Sequence, residues 1–240
     1  MKFGDFIADK DYLLSESILD KGIFKACYMA GHSGSGKSYT LSKIKSGSIE
    51  PRIVNVDKYI EYFGKDYEKA FYDKSKILLT NQLTLYVDSV LPLAVDVTAS
   101  SPNSVVRRYG ILDYFGYDQA MVFVNCSLET ALERSRERAK TGRSVPDEVV
   151  TNYYNEVQKV KGYLRQKFGT FIEVNNDIGE LTDEVVMSAF KKMEGFYNSP
   201  IKNKRGQEAV QIMTENKWKY LSDGIFDKSE INSMVRMWYS

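Results

Sequence analysis

The chain has one histidine, two cysteines and almost no net charge, and each scarcity closes off a class of chemistry. His32, the single histidine, has no carboxylate partner near it in sequence, so it reads as a solvent-facing or phosphate-side contact rather than a catalytic base. Cys27 and Cys126 lie in apolar runs without metal-ligand spacing and read as buried free thiols of a reducing compartment. Lysine and arginine number 33 against 32 aspartates and glutamates, for a net charge of +1. No global field therefore recruits nucleic acid, and polyanion binding would need a local patch. Residues 1–10 lack the basic-then-apolar layout of a signal peptide, and no apolar run approaches membrane-spanning length. A cytoplasmic protein without membrane contact is expected. Internal repeats and low-complexity stretches are absent. Aromatics are plentiful, with 17 tyrosines, but tyrosines pack half-buried helix faces and do not by themselves indicate base stacking. A length of 240 residues accommodates one full α/β domain plus an appendage.

What is present is concentrated in Gly31-His32-Ser33-Gly34-Ser35-Gly36-Lys37-Ser38, which fills every fixed position of G-x-x-x-x-G-K-[ST]. The glycines let consecutive N–H groups turn inward toward one anion. Lys37 places a point charge between terminal phosphates, and the Ser38 hydroxyl suits Mg²⁺. An apolar run, Phe24–Ala30, precedes the loop as a buried strand. A helix start follows it, whose dipole favours bound phosphate. The eight residues are expected to bind the phosphates of a nucleoside triphosphate.

Strand-like and helix-like segments alternate after residue 23, the pattern of a parallel sheet covered by helices. The strands are expected at Phe24–Ala30, Arg52–Val56, Leu91–Val97, Ala120–Asn125 and Thr170–Val174. Helices are expected at Lys37–Lys45, Tyr67–Val87, Ser104–Phe115, Leu128–Ala139, Pro146–Phe168 and Leu181–Phe196. The predicted domain layout is an N-terminal extension over 1–22, the α/β domain over 23–196, and a helical C-terminal extension over 197–240. In that extension two short helices are expected around Ser222-Asp223-Gly224, with Trp218 and Trp238 as packing anchors.

In such sheets ligands sit beyond the carboxyl ends of the strands, which directs attention to three places. Asp57 follows the second strand, where it would face the phosphates and accept the proton of an attacking hydroxyl, or would cap a helix over Lys58–Phe63. Asp96 ends the third apolar run, placed to hold Mg²⁺ through water or to hydrogen-bond the substrate. Thr98 and Ser100 offer hydroxyls at the same rim or serve the turn and the cap of the next helix. Arg107 and Arg108, on that helix, fit a solvated face. The third place is Arg134–Arg143, with five basic residues in ten positions ahead of Pro146. Charge this dense suggests a mobile lid that brings guanidinium groups onto transferring phosphate, or a solvated helix end. Arg134 and Arg138 lie one helical turn apart on a shared face, and Arg136 points elsewhere.

The loop, Asp57-Lys58-Tyr59, Asp96-x-Thr98 and the basic segment leading into Val145-Pro146-Asp147-Glu148-Val149 recur in that order in a known group. Over roughly residues 24 to 195 the chain resembles the kinase domain of phage polynucleotide kinase and the zeta-toxin-like P-loop kinases. The resemblance implies an α/β P-loop NTPase fold with a five-stranded parallel sheet in the order 2-3-1-4-5. It implies ATP and Mg²⁺ as cofactors and phosphorylation of a hydroxyl group. By that likeness Asp57 matches the catalytic aspartate, Lys37 and Ser38 the phosphate and magnesium residues, and Arg138 with Arg134 the lid arginines. Asp96 and Thr98 match the acceptor or magnesium side. The acceptor it favours is a nucleic acid or nucleotide, through a 5′-hydroxyl or a hydroxymethylated base. The alternatives are a small metabolite such as a nucleotide sugar, or a nucleotide-dependent switch protein. Residues 197–240 carry no D-x-D-x-T phosphatase signature.

Overall fold

A computed structural model describes residues 22–44, 49–63, 69–140, 145–177, 182–215 and 225–239. The predicted extension over 1–22 therefore lies, apart from Gly22, outside the described residues, as do Thr141–Arg143, Trp218 and Ser222-Asp223-Gly224.

The five strands are β1 (Lys25–Ala30), β2 (Arg52–Val54), β3 (Leu93–Val97), β4 (Asp118–Asn125) and β5 (Thr170–Asn175). They form one parallel sheet in the order β2-β3-β1-β4-β5, the order the resemblance implies. β1 lies at the centre, paired with β3 and β4, so both of its faces are covered and every one of its residues is buried. β5 forms one edge and shows a partial alternation of buried and exposed residues instead. Alternate residues of β1 serve opposite faces. Ala26, Tyr28 and Ala30 enter one apolar cluster, and Cys27 and Met29 another.

The helices are α1 (Lys37–Ile44), α2 (Asp57–Tyr62), α3 (Lys69–Asp88), α4 (Pro102–Tyr114), α5 (Leu128–Ala139), α6 (Asp147–Lys167), α7 (Asp183–Tyr197), α8 (Lys204–Glu215) and α9 (Lys228–Arg236). A 3₁₀ turn follows at Met237–Tyr239. Local chemistry sets several starts. Ser101 accepts from Ser104 N, Ser127 from Thr130 N and Thr182 from Val185 N, each satisfying a first-turn donor. Ser101, rather than Thr98 or Ser100, is thus the cap of α4. Asp57 opens α2 from within its first turn, and it is Asn55 whose side chain accepts the Asp57 N–H, at 2.8 Å. Along α6 the residues Val150, Val157 and Leu164 recur at helical spacing and form the buried seam.

Two layers sandwich the sheet. The face holding Cys27 and Met29 is covered by Ala189, Met193, Phe196 and Tyr197 of α7, with Leu41 of α1 beside them. The opposite face is larger and receives α3, α4 and α6 together with Ala209, Met213, Ile231, Val235 and Trp238 from the C-terminal segment. A buried cation anchors that segment at the end of the sheet where β1 and β4 begin. Lys25, 1% exposed, directs its three donors to Asp118 Oδ2 at 2.7 Å, Ser199 Oγ at 3.0 Å and the Pro200 carbonyl at 3.1 Å. Asp118 also accepts from Lys202 N and Asn203 N at 2.9 and 2.8 Å, so both charges are solvated by protein.

Candidate active site

The loop after β1 turns through Gly31–Gly36 at the carboxyl end of the sheet and feeds directly into α1. Its path depends on residues without a Cβ. Gly34, at φ 81°, would place a Cβ 2.7 Å from the Ala131 carbonyl oxygen. Gly36, at φ 86°, would place one 2.0 Å from Asn176 Nδ2. The ends of β4 and β5 brace the loop from behind. Asn176 Nδ2 donates to the Ser35 carbonyl at 2.7 Å, and its own N–H is held by the Asn125 carbonyl at 2.7 Å. Lys37 Nζ donates to the Gly31 and His32 carbonyls at 2.9 and 3.2 Å.

A cleft of about 750 Å³ opens in front of the loop. Ser33, Gly34, Gly36, Lys37 and Ser38 of the loop line it. Asp57, Asp96, Thr98 and Arg138 line the same cleft. Residues spread over a hundred positions of sequence are thereby brought to one space. The N–H groups of Gly34, Gly36 and Ser38 have no acceptor among the described residues, although all three residues face the cleft. This donor set at a helix N-terminus is what a polyphosphate requires. No group of three or more ligating His, Cys, Asp or Glu side chains occurs among the described residues. The Ser38 hydroxyl and the Asp96 carboxylate are oxygen donors of the kind magnesium takes.

Four predicted residues sit elsewhere than the sequence suggests. His32 is fully buried rather than solvent-facing. Its ring packs edge-on against Tyr154 at 4.9 Å, with Nε2 3.8 Å from Cys126 Sγ, and burial holds its pKa below the usual imidazole value. Arg134 and Arg138 share a face of α5, but only Arg138 lines the cleft. Arg134 Nη1 reaches 3.4 Å to the Gly34 carbonyl, where it braces the loop. Arg136 does point elsewhere, pairing with Asp147 at 2.5 Å. Gly31 and Ser35 are buried within the loop, and Ser35 Oγ has no hydrogen-bond partner among the described residues.

Other cleft residues escaped sequence reasoning. Asn55 bridges the two carboxylate positions, accepting from Asp57 N and donating through Nδ2 to Asp96 Oδ2 at 2.9 Å. Burial raises the Asp96 pKa above the usual carboxylate value; Lys37 opposes that rise, Asp57 adds to it, and Arg108 opposes it. Ala99, in the turn after β3, has φ 60°, a conformation uncommon for a residue with a Cβ. Arg108, expected on a solvated face, is drawn inward and also lines the cleft, as does Tyr239.

Fold and cleft together define a P-loop kinase, a phosphotransferase with an alcohol group as acceptor. The Zeta toxin family model matches residues 20–186, well over half of the sequence, and the chain belongs to that family. No curated protein matches it. Among solved structures, a candidate kinase from Chloroflexus aurantiacus J-10-fl superposes with a TM-score of 0.52 at 13% identity. That alignment covers 72% of this chain and 97% of the other. A chain of the Pnkp1/Rnl/Hen1 RNA repair complex gives 0.50 at 18% identity, over 62% of this chain and 49% of that one. The PezAT toxin-antitoxin system of Streptococcus pneumoniae gives 0.47 at 18% identity, over 93% and 96%. No helix among the described residues is long and apolar enough to cross a membrane.

Proposed function

We propose that this kinase transfers the γ-phosphate of ATP, with Mg²⁺, to a hydroxyl of a nucleotide-class acceptor. The observation that carries the reading is the shared cleft, which the anion-binding loop lines together with Asp57 and Asp96. The backbone N–H groups of Gly31–Ser38 and the Lys37 ammonium would hold the triphosphate, and Ser38 with Asp96 would hold the magnesium. Asp57 would take the proton of the acceptor hydroxyl as it attacks the γ-phosphorus in line. Thr98 would orient that acceptor. Arg138 would neutralise charge that grows on the equatorial oxygens. Magnesium supplies charge neutralisation of the donor phosphates when bound.

Two acceptors remain within this class. A nucleotide sugar or similar small metabolite suits the near-neutral chain and the family membership. A 5′-hydroxyl or hydroxymethylated base of a nucleic acid is the second, supported by the fold shared with a chain of an RNA repair complex. Incubation with γ-labelled ATP and a panel of 5′-hydroxyl DNA, hydroxymethylated DNA, nucleosides and nucleotide sugars tests the proposal. Label is expected in one acceptor class, and label in none, with ATP still bound, would refute the kinase reading. Asp57→Asn should abolish transfer and spare ATP binding. A nucleic-acid acceptor should bind with a steep salt dependence, and a small one with a shallow dependence.

A further inference from the structure

Asp57 and Asp96 belong to different elements, the start of α2 and the end of β3, and one side chain touches both. Asn55 lies immediately beyond β2. Val54 pairs with Val95 at the last rung of the β2–β3 ladder, so one further step along each strand sets Asn55 beside Asp96. Asn55 Oδ1 accepts the Asp57 N–H at 2.8 Å, and Asn55 Nδ2 donates to Asp96 Oδ2 at 2.9 Å. The same residue lines the cleft, as do both aspartates.

The two bonds ask for different chemistry. The Asp57 N–H is a first-turn donor that α2 cannot satisfy internally, and an aspartate or serine at position 55 would accept it as well as asparagine does. Only an amide adds a donor for a carboxylate, and it presents both groups from one rigid plane. Its orientation follows from these partners, since a reversed amide would set its NH₂ against the Asp57 N–H and its oxygen against the carboxylate. α2 has six residues, rooted in the core by Tyr59 and Ile60. A helix this short has little stability of its own, so the end that carries Asp57 is placed by what its first turn is tied to. Asn55 ties it to the end of β3.

We propose that Asn55 is a positioning residue for the transfer step, its amide holding the start of α2 and the Asp96 carboxylate in one fixed relation. The assignment rests on the phosphotransferase reading of the cleft and adds a residue that touches neither the attacking oxygen nor the phosphorus. Asp57 must come within about 2.6–3.2 Å of the acceptor hydroxyl while Asp96 keeps its own place in the cleft. A misplacement of about 1 Å can cost on the order of a hundredfold in rate. Asn55 prevents it through geometry alone and takes no part in moving the proton or the phosphoryl group.

The test compares Asn55→Ser and Asn55→Asp in the full chain. Both keep an acceptor for the Asp57 N–H. Serine is too short to reach Asp96, and an ionised aspartate brings no donor to it. Rates are measured with γ-labelled ATP against 5′-hydroxyl DNA, hydroxymethylated DNA, nucleosides and nucleotide sugars. Nucleotide affinity is measured with adenylyl imidodiphosphate and Mg²⁺. With the acceptor that takes label, kcat should fall by about tenfold or more in both variants. KM for ATP and affinity for the imidodiphosphate should stay within about twofold, which also verifies folding. A residue that only starts the helix would leave kcat near wild type in both, and that result overturns the proposal. A loss of imidodiphosphate affinity as large as the loss of rate overturns it too, because Asn55 would then serve nucleotide binding. A second readout needs no turnover. Asn55→Ser should lower the urea midpoint in the wild type and much less beside Asp96→Ala, where its partner is already gone. Equal losses in the two backgrounds would overturn the link to Asp96. If the wild type labels no acceptor, the kinase reading fails, and the urea cycle alone decides whether Asn55 joins α2 to Asp96.

Discussion

Replacing Gly36 with alanine tests the brace behind the phosphate loop, because the added Cβ would fall 2.0 Å from Asn176 Nδ2 and 3.3 Å from Asn176 Cγ. Asn176 is nearly fully buried and tied at both ends, by its side chain to the Ser35 carbonyl and by its N–H to the Asn125 carbonyl. It must withdraw, and the Ser35 carbonyl loses its donor. Leaving that group unsatisfied costs about 1–3 kcal/mol. Holding an alanine at φ 86° adds roughly 1–2 kcal/mol. The sum, about 2–5 kcal/mol, corresponds to a fall in Tm of about 4–20 °C for a domain of this size. Affinity for an ATP analogue should fall by about tenfold or more, since the Gly36 N–H turns away from the cleft. Calorimetry and nucleotide titration read the two effects. A double-mutant cycle sharpens them: Asn176→Ala should be costly in the wild type and nearly free beside Gly36→Ala, where its bond is already lost. Additive costs, or an alanine variant with unchanged Tm and nucleotide affinity, would refute the reasoning.

Further outcomes are expected. Asp96 has a raised pKa because burial disfavours its charge, so its contribution is present at low pH and is lost as pH rises through its folded-state value. Asp96→Asn should therefore have the higher Tm at neutral pH, an advantage that shrinks below the ordinary carboxylate range, while its transfer activity falls; an equal Tm at all pH values would contradict this. Arg138→Ala should reduce transfer by about a hundredfold or more, whereas Arg136→Ala, whose side chain is turned to Asp147, should stay within about twofold. Steady-state rates compare the two, and equal losses would remove Arg138 from its proposed role. Burial pushes the Cys27 thiol up to about 12 and Cys126 up to about 11, so neither should react with iodoacetamide at pH 8 until the protein is unfolded, as mass spectrometry would show.

The sheet was legible because its signals are local. Each strand is a short apolar run, and the phosphate loop is contiguous, so position follows from alternation with helices, whereas the spatial order 2-3-1-4-5 came from the family resemblance. Asp96 could be placed at the cleft because strand ends lie there in any sheet of this type. Asn55 was not legible. Its value lies in reaching Asp96 from the neighbouring strand, a contact across 41 positions that no spacing rule encodes. Arg108 was misread for a related reason. Helical periodicity tells which residues share a face but not what covers that face, and its cover comes from residues 130 positions downstream. The arginines of α5 show the limit in miniature. One helical turn separates Arg134, beneath the loop, from Arg138, at the cleft, and a shared face does not reveal which will reach.

The placing of Tyr239 in the cleft also orders events in time. A polypeptide made at about 5–20 residues per second exposes the phosphate loop on the order of ten seconds or more before Tyr239 follows. During that interval β1, the loop and Asp57 already exist as chain, while the wall formed by the 237–239 turn does not. A nascent chain thus carries its phosphate loop well before the residue that completes the cleft wall, and the finished cleft waits for the aromatic turn to dock on α4.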